Sequence, residues 1–264
     1  MKKFIAVVLS LAMIFAFVAC SKAPAAEEQK DSEYVIEKGK LVVGITDFAP
    51  MDYQDENGNW IGFDADMATA FAKSLGVEVE FQVVDWDNKT LELNGKSVDC
   101  IWNGMTLNAE VLAAMECSNA YCNNAQIVIV KADVADKYQT VEACKDLKFA
   151  AEAGSAGEDE ATAAGFKVTP VPTQADALME VAAGTSDAAV IDSLMAAAMV
   201  GEGTGYADLA YTVGLNAEEY GAGFRKGSDL AAKLNDFLKA AYEDGTLQAC
   251  AEKYSVQAAL IEQK

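Results

Sequence analysis

The chain reads as an α/β protein of two lobes, on three observations. Strand-like and helix-like patterns alternate from Tyr34 onward, and the alternation restarts after one strongly apolar run at Gln126 to Val130. Removing an N-terminal leader of 19 residues from the 264 still leaves 245, enough for two cores.

The leader is read first. Lys2 and Lys3 precede an apolar run from Phe4 to Ala19, and Phe17-Val18-Ala19-Cys20 ends it with a small residue ahead of a cysteine. That order predicts a signal peptide over 1–19 with a lipoprotein-type box, plain secretion being the alternative. The run is shorter than the about 20 residues that cross a ~30 Å hydrocarbon core, so it predicts a leader that is removed. Lipidation of Cys20 would anchor the protein to the outer face of the cell membrane, with membrane contact through that lipid only. Ser21 to Glu33 lacks any apolar period, so 20–33 is expected to be a lipidated cysteine and flexible tether, with folded structure starting near Tyr34.

The folded elements follow in order. Leu41 to Ile45 reads as a buried strand, and Asp55-Glu56-Asn57-Gly58-Asn59 as a turn with a left-handed position at Gly58. Asp64 is placed to cap a helix in which Met67, Ala70, Phe71 and Leu75 recur at helical spacing and which Gly76 closes. Val77, Val79, Phe81 and Val83 alternate as a strand does, and a further strand is expected over Val98 to Trp102. In the second series, Phe149-Ala150-Ala151 enters the turn Gly154-Ser155-Ala156-Gly157 and a helix ending at Gly165. Ala175 to Ala183 reads as a helix stopped by Gly184, and Ala188 to Ile191 as a strand leading to Asp192. Leu230, Leu234, Phe237, Leu238 and Ala241 line one face of a last long helix that Gly245 stops, before a final turn or two through Leu247 to Tyr254.

Composition removes several functions. The formal charge is −21, and −23 without Lys2 and Lys3, so nucleic acid and anionic lipid are poor partners. There is no histidine, which excludes a Ser-His-Asp triad, a Cys-His pair and histidine-ligated zinc. No cofactor and no metal site is predicted. Beyond Cys20, Cys100, Cys117, Cys122, Cys144 and Cys250 are too many by one to pair within the chain; they read as small buried hydrophobes, with a Cys117–Cys122 bridge or one long-range bridge as the alternative.

An ordered set of short motifs then carries a resemblance. It comprises Asp47-Phe48-Ala49-Pro50-Met51, Gly62-Phe63-Asp64-Ala65-Asp66, Val84-Asp85-Trp86-Asp87, Asp99-Cys100-Ile101-Trp102-Asn103-Gly104-Met105-Thr106, Ala153-Gly154-Ser155-Ala156-Gly157-Glu158, Asp187-Ala188-Ala189-Val190-Ile191-Asp192, Glu219-Tyr220-Gly221, Arg225-Lys226-Gly227 and Asp244-Gly245-Thr246-Leu247. Each is weak alone; their order from Lys40 to Tyr254 resembles family 3 extracellular solute-binding proteins, the amino-acid receptors of ABC importers. The resemblance implies a periplasmic-binding-protein-like fold of type II, two α/β lobes joined by two hinge strands, with lobe 1 at 34–125 plus 218–264 and lobe 2 at 126–217. It implies a ligand held between the lobes: an α-ammonium group on Asp192, the Gly104 carbonyl and the Thr106 hydroxyl, and a carboxylate on Ser155 and the amides of Ala156 and Gly157 at a helix start. Each has a plainer reading, a helix cap for Asp192 and a glycine-rich turn for Ser155. Phe48, Trp86 and Trp102 are candidates to pack on the ligand, with core positions as the alternative for the two tryptophans, and Asn103 lies in the same stretch. Asp64 and Asp66 are read as structural.

One departure bears on the ligand. The family pattern continues after Thr106 to a Glu and an Arg that grips the ligand carboxylate, whereas this chain reads Leu107-Asn108-Ala109-Glu110-Val111. The chain's only arginine is Arg225, remote from that position in sequence. An ordinary α-amino acid is therefore expected to bind weakly unless a lysine reaches in, Lys89 and Lys131 being the candidates, or else the ligand is an amine without that carboxylate. The resemblance implies a monomeric, non-enzymatic receptor that captures an amino acid or related amine and delivers it to an ABC transporter permease. The alternatives are a dehydratase-like enzyme on the same scaffold and a sensory receptor that does not transport.

Overall fold

The computed structural model describes residues 29–264. The leader, Cys20 and the greater part of the tether lie outside the described residues. The folded chain begins before Tyr34: α1 (Asp31–Lys38) takes in the last three residues assigned to the tether. Its start is held by tertiary bonds that a local pattern does not show, the Ser32 amide and hydroxyl on Asp229 at 3.0 and 2.6 Å and Asp31 on Arg225 at 3.0 Å.

The first series runs β1 (Lys40–Ile45), the short hairpin β2 (Tyr53–Gln54) and β3 (Trp60–Ile61), α2 (Phe63–Ser74), β4 (Glu78–Val83), α3 (Lys89–Asn94), β5 (Cys100–Thr106), α4 (Ala109–Ala114), β6 (Glu116–Cys117) and β7 (Cys122–Asn124). The second runs β8 (Gln126–Lys131), α5 (Val141–Cys144), β9 (Lys148–Glu152), α6 (Ala156–Ala163), β10 (Lys167–Val171), α7 (Gln174–Ala183), β11 (Ala188–Asp192), α8 (Ser193–Met199) and β12 (Leu209–Gly214). The chain then returns to the first series with β13 (Glu218–Phe224), α9 (Leu230–Glu243) and α10 (Thr246–Lys253).

Two sheets result. One has the order β4-β1-β5-β13-β6 with β7 also on β13, and the other β10-β9-β11-β8-β12. In each, the strands joined through helices pair in parallel, while the strands next to the crossings, β13 and β8, pair antiparallel. The chain passes between the sheets twice, at Ala125 and at Leu215 to Ala217, so the mixed α/β architecture in two lobes is as expected.

Alternation along buried strands divides each core into two faces. Val43, Cys100 and Trp102 pack toward α2 and α9 with Phe71 and Leu234, whereas Val42, Ile101 and Met105 pack on the opposite face with Leu93, Val98 and Val111. In the second sheet Val128, Val130, Phe149 and Val190 form a separate face with Cys144 and Phe166, the two phenyl rings stacked at 4.2 Å. Asp64 does not cap α2: Gly62 precedes the helix and Asp64 is its second residue, wholly buried and bonded elsewhere. All five cysteines of the described residues are free thiols, three of them buried.

Arg225, 8 % exposed, ties α1 and the first sheet together. Its guanidinium bonds Asp31 at 3.0 Å and the carbonyls of Val98 and Leu93 at 2.9 and 3.3 Å, and lies 3.6 Å from Asp99, which also takes Lys38. Arg225→Leu leaves Asp31 and Asp99 without their common cation, and is expected to cost about 3–5 kcal/mol in urea unfolding. It should not alter ligand affinity, because the network is remote from the cleft described next.

Candidate functional site

The carboxyl-end loops of both sheets face one cavity of about 270 Å³. Open α/β sheets place ligand sites beyond the carboxyl ends of their strands, and this volume lies just below the ~300 Å³ at which pockets for drug-sized molecules begin. A small metabolite fits it.

From the first sheet come Phe48, Trp86, Lys89, the β5 segment Asn103 to Thr106, and Glu110 and Val111 of α4. From the second come Gln126, Glu152, Gly154 to Ala156, Gln174 and Asp192. The lobes touch across the rim, where Lys89 Nζ donates to the Gly154 carbonyl at 2.8 Å and to the Trp86 carbonyl at 3.2 Å. A side chain on Gly154 would meet the Asp87 backbone at 2.7 Å, so glycine lets the two loops close on each other.

Polar groups beneath the cavity fix its floor. Asn103 uses both ends of its amide within the protein, accepting from the Thr46 amide and hydroxyl at 3.0 and 2.8 Å and donating to Asp52 at 2.8 Å. Its side chain therefore positions the floor. Asp64 accepts the Gly104 amide at 2.6 Å and the Tyr121 hydroxyl at 2.7 Å. That pins Gly104 at φ +54°, under a Phe48 ring that would overlap any added Cβ at 2.3 Å.

Asp192 ends β11 and is buried among donors. Tyr220 Oη and Gln126 Nε2 donate to one carboxylate oxygen at 2.7 and 2.9 Å, joined by Asn124 Nδ2, and Gln174 Nε2 donates to the other. Asn124, Gln126 and the Thr106 hydroxyl also donate to Glu218, at 2.6, 2.8 and 3.0 Å, so two carboxylates share the same amides. Burial, then the Glu218 charge, pushes Asp192 up to about 8, against the pull of Tyr220 and Gln174. It precedes α8 without a side-chain capping bond, so the helix-cap role is not taken.

Glu152 ends β9 at 3 % exposure, and its Oε1 has no hydrogen-bond partner among the described residues. Burial pushes it up to about 8, assisted by Asp192 and opposed first by Lys89 and then by Thr46 and Gln174. Burial lowers Lys89 in turn, while the nearby carboxylates, Glu152 first among them, favour its charge.

At the start of α6, Ser155 is the N-cap, a role that neither reading of it from the sequence named. Its hydroxyl accepts the Glu158 amide at 3.1 Å, and the Glu158 carboxylate returns to the Gly154 amide at 2.8 Å. An anion belonging to the protein itself thus occupies part of that helix start.

Of the residues named from sequence, Phe48, Trp86, Asn103, Gly104, Thr106, Ser155, Ala156 and Asp192 come together around the cavity. Trp102 does not. It is fully buried on the α2 face, 6.3 Å from Phe71 and 6.2 Å from Tyr121 between ring centres, one residue short of the β5 end that lines the cleft. Of the two lysines, Lys89 reaches the cavity, whereas Lys131 lines a different depression beside Tyr206. Glu152, Gln126, Gln174 and Glu218 had escaped the sequence reading. The one local signal was Glu152 itself, a carboxylate ending the apolar run Phe149-Ala150-Ala151.

Comparison with known proteins agrees with this fold. The family described as bacterial extracellular solute-binding proteins, family 3, matches residues 41–257. The arginine-binding extracellular protein ArtP of Bacillus subtilis (strain 168) is 29 % identical over 96 % of this chain and 98 % of its own length. Among solved structures, a mutant of ArgBP from T. maritima superposes with a TM-score of 0.80 at 32 % identity, covering 85 % of this chain and 98 % of that one. The ancestral amino acid-binding protein AncCDT-1, a precursor of cyclohexadienyl dehydratase, gives 0.77 at 34 % identity, over 84 % and 98 %.

The buried carboxylates set a pH dependence. Glu152 and Asp192 hold protons up to about 8 when folded but only to the ordinary ~4 when unfolded, so the folded state binds more protons between those limits. Their contribution is fully present below the unfolded value and is lost as pH rises through 8. The melting temperature of the ligand-free protein is expected to fall from about pH 5.5 to about pH 8.5, and Glu152→Gln to flatten part of that fall in a calorimetric scan.

Proposed function

Because this chain belongs to the bacterial extracellular solute-binding proteins of family 3, we propose that it is the receptor of an ABC importer, capturing an amino acid or related amine between its lobes and delivering it to the permease. The observation that carries this is the cavity itself, small and polar, with Asp192 from one lobe facing Gly104 and Thr106 from the other. A ligand that touches both lobes favours the closed arrangement over the open one, and the permease reads the closed form. In this reading the lobes are 34–125 plus 218–264 and 126–217, the protein acts as a monomer, and Cys20 carries the lipid that holds it outside the cell membrane.

The pocket binds without transforming its ligand in this reading. A dehydratase acting on a carboxylic acid needs an anchor for that acid, and the position of the arginine clasp holds Val111, 6 % exposed. Phe48, Trp86, Gly104, Thr106, Ser155, Ala156 and Asp192 form the ligand-contacting set, and Asn103 supports them.

Titration calorimetry of the mature protein against amino acids and amines tests the reading; binding of a member of either group is expected, and silence across the panel would overturn it. Asp192→Asn removes the carboxyl group that ionises against the ligand's cation and is expected to weaken binding by about 2 kcal/mol or more. Val111→Arg restores a carboxylate clasp and is expected to tighten binding of α-amino acids by about tenfold, measured in the same titration.

A further inference from the structure

We propose that Glu152 is a second cation anchor, and that the ligand is an organic dication without a carboxylate, its two positive groups spanning from Asp192 to Glu152. This rests on the cleft being the ligand site, and it narrows the ligand class within that reading.

Four observations lead there. Six carboxylates line the cavity, those of Asp87, Glu110, Glu152, Glu158, Asp159 and Asp192, against one cation, Lys89. Glu152 is nine-tenths buried or more, lines the cavity, and has an oxygen with no hydrogen-bond partner among the described residues. Thr46 and Gln174 serve part of the Glu152 carboxylate, but a buried carboxylate oxygen with no donor of its own is costly unless something cationic meets it, and an ammonium or guanidinium group supplies both the charge and the N–H bonds.

Lys89 is poorly placed to meet it. Its ammonium donates to two carbonyls and lies 5.0 Å from the centre of the Trp86 ring, and no ion pair within 4 Å joins it to Glu152 among the described residues.

The features that would hold a carboxylate are lacking on the same side. Val111 presents an apolar side chain, Glu110 and Asp159 stand beside it in the wall, and Glu158 already occupies the Gly154 amide of the helix start. A ligand carboxylate would enter a wall of like charge, and like-charge juxtaposition selects against it. Trp86 and Phe48 offer aromatic faces that suit the alkyl chain between two cationic groups.

The test compares molecules that differ only in the carboxylate: agmatine with arginine, and 1,5-diaminopentane with lysine, with glutamine as an amino acid lacking a second cation. Titration calorimetry of the mature protein is expected to show the carboxylate-free member of each pair binding at least about tenfold tighter than its parent amino acid. Glu152→Gln is expected to weaken that binding by about tenfold or more while changing glutamine binding little. Thermal unfolding of the variant checks that it folds, and Glu152→Asp, which keeps the charge, should restore part of the affinity. Parent amino acids binding as tightly as their amines, or Glu152→Gln leaving amine affinity unchanged, would overturn the dication while leaving an amino-acid receptor in place. No binding by any of the five compounds would overturn the dication, and extending that silence to the full panel would overturn the receptor as well.

Discussion

The structure depends on how carboxylates are kept away from water at the junction of the two lobes without a guanidinium to balance them. Asp192 and Glu152 are buried there beside the half-buried Glu218, and Asp192 and Glu218 share the amides of Asn124 and Gln126. Neutral amides and a tyrosine hydroxyl act as the local solvent, giving hydrogen bonds without cancelling charge. Such an arrangement favours protons in the folded protein. The acidic surface common to the whole chain is a separate matter of solubility.

Around this junction the same residues serve both the chain crossings and the site. Asn124 and Gln126 flank Ala125, one of the two passages between sheets, so residues of the crossing are also residues that hold Asp192. Tyr220 lies on β13, just beyond the other crossing, and bonds the same carboxylate at 2.7 Å. The crossing segments therefore report the state of the site directly: any change in the charge at Asp192 alters bonds to both. Below them Asp64, Asp52 and Asn103 hold the end of β5, which fixes the floor of the cavity.

Legibility of the fold followed burial and spacing. Strands β1, β4, β8, β9 and β11 and helices α2, α7 and α9 were all visible as apolar runs or periods, some of them ended by glycine. β10, with Pro170 inside it, and the glycine-rich β13 were not, because neither has a local pattern and each forms only by pairing with a neighbour that supplies the ladder. Asp64 shows the same limit in the site. Its position before an apolar period reads as a cap, yet the nearby Gly104 amide and Tyr121 hydroxyl claim it, and both are brought there by long-range folding.

What the amino-acid order determined by itself was the α/β alternation in two series and the absence of histidine chemistry, since these are properties of residues and their spacing; that Val111 stands where an arginine is expected came from the family resemblance. Tertiary structure alone decided that Trp102 turns into the core, that Lys89 reaches the cleft while Lys131 does not, and that Glu152 joins Asp192 around one cavity. The reason is that a strand's register and the meeting of two lobes fix which of its faces is wet. Residues forty positions apart, such as Glu152 and Asp192, acquire a common electrostatic environment only when both strand ends open on the same crevice.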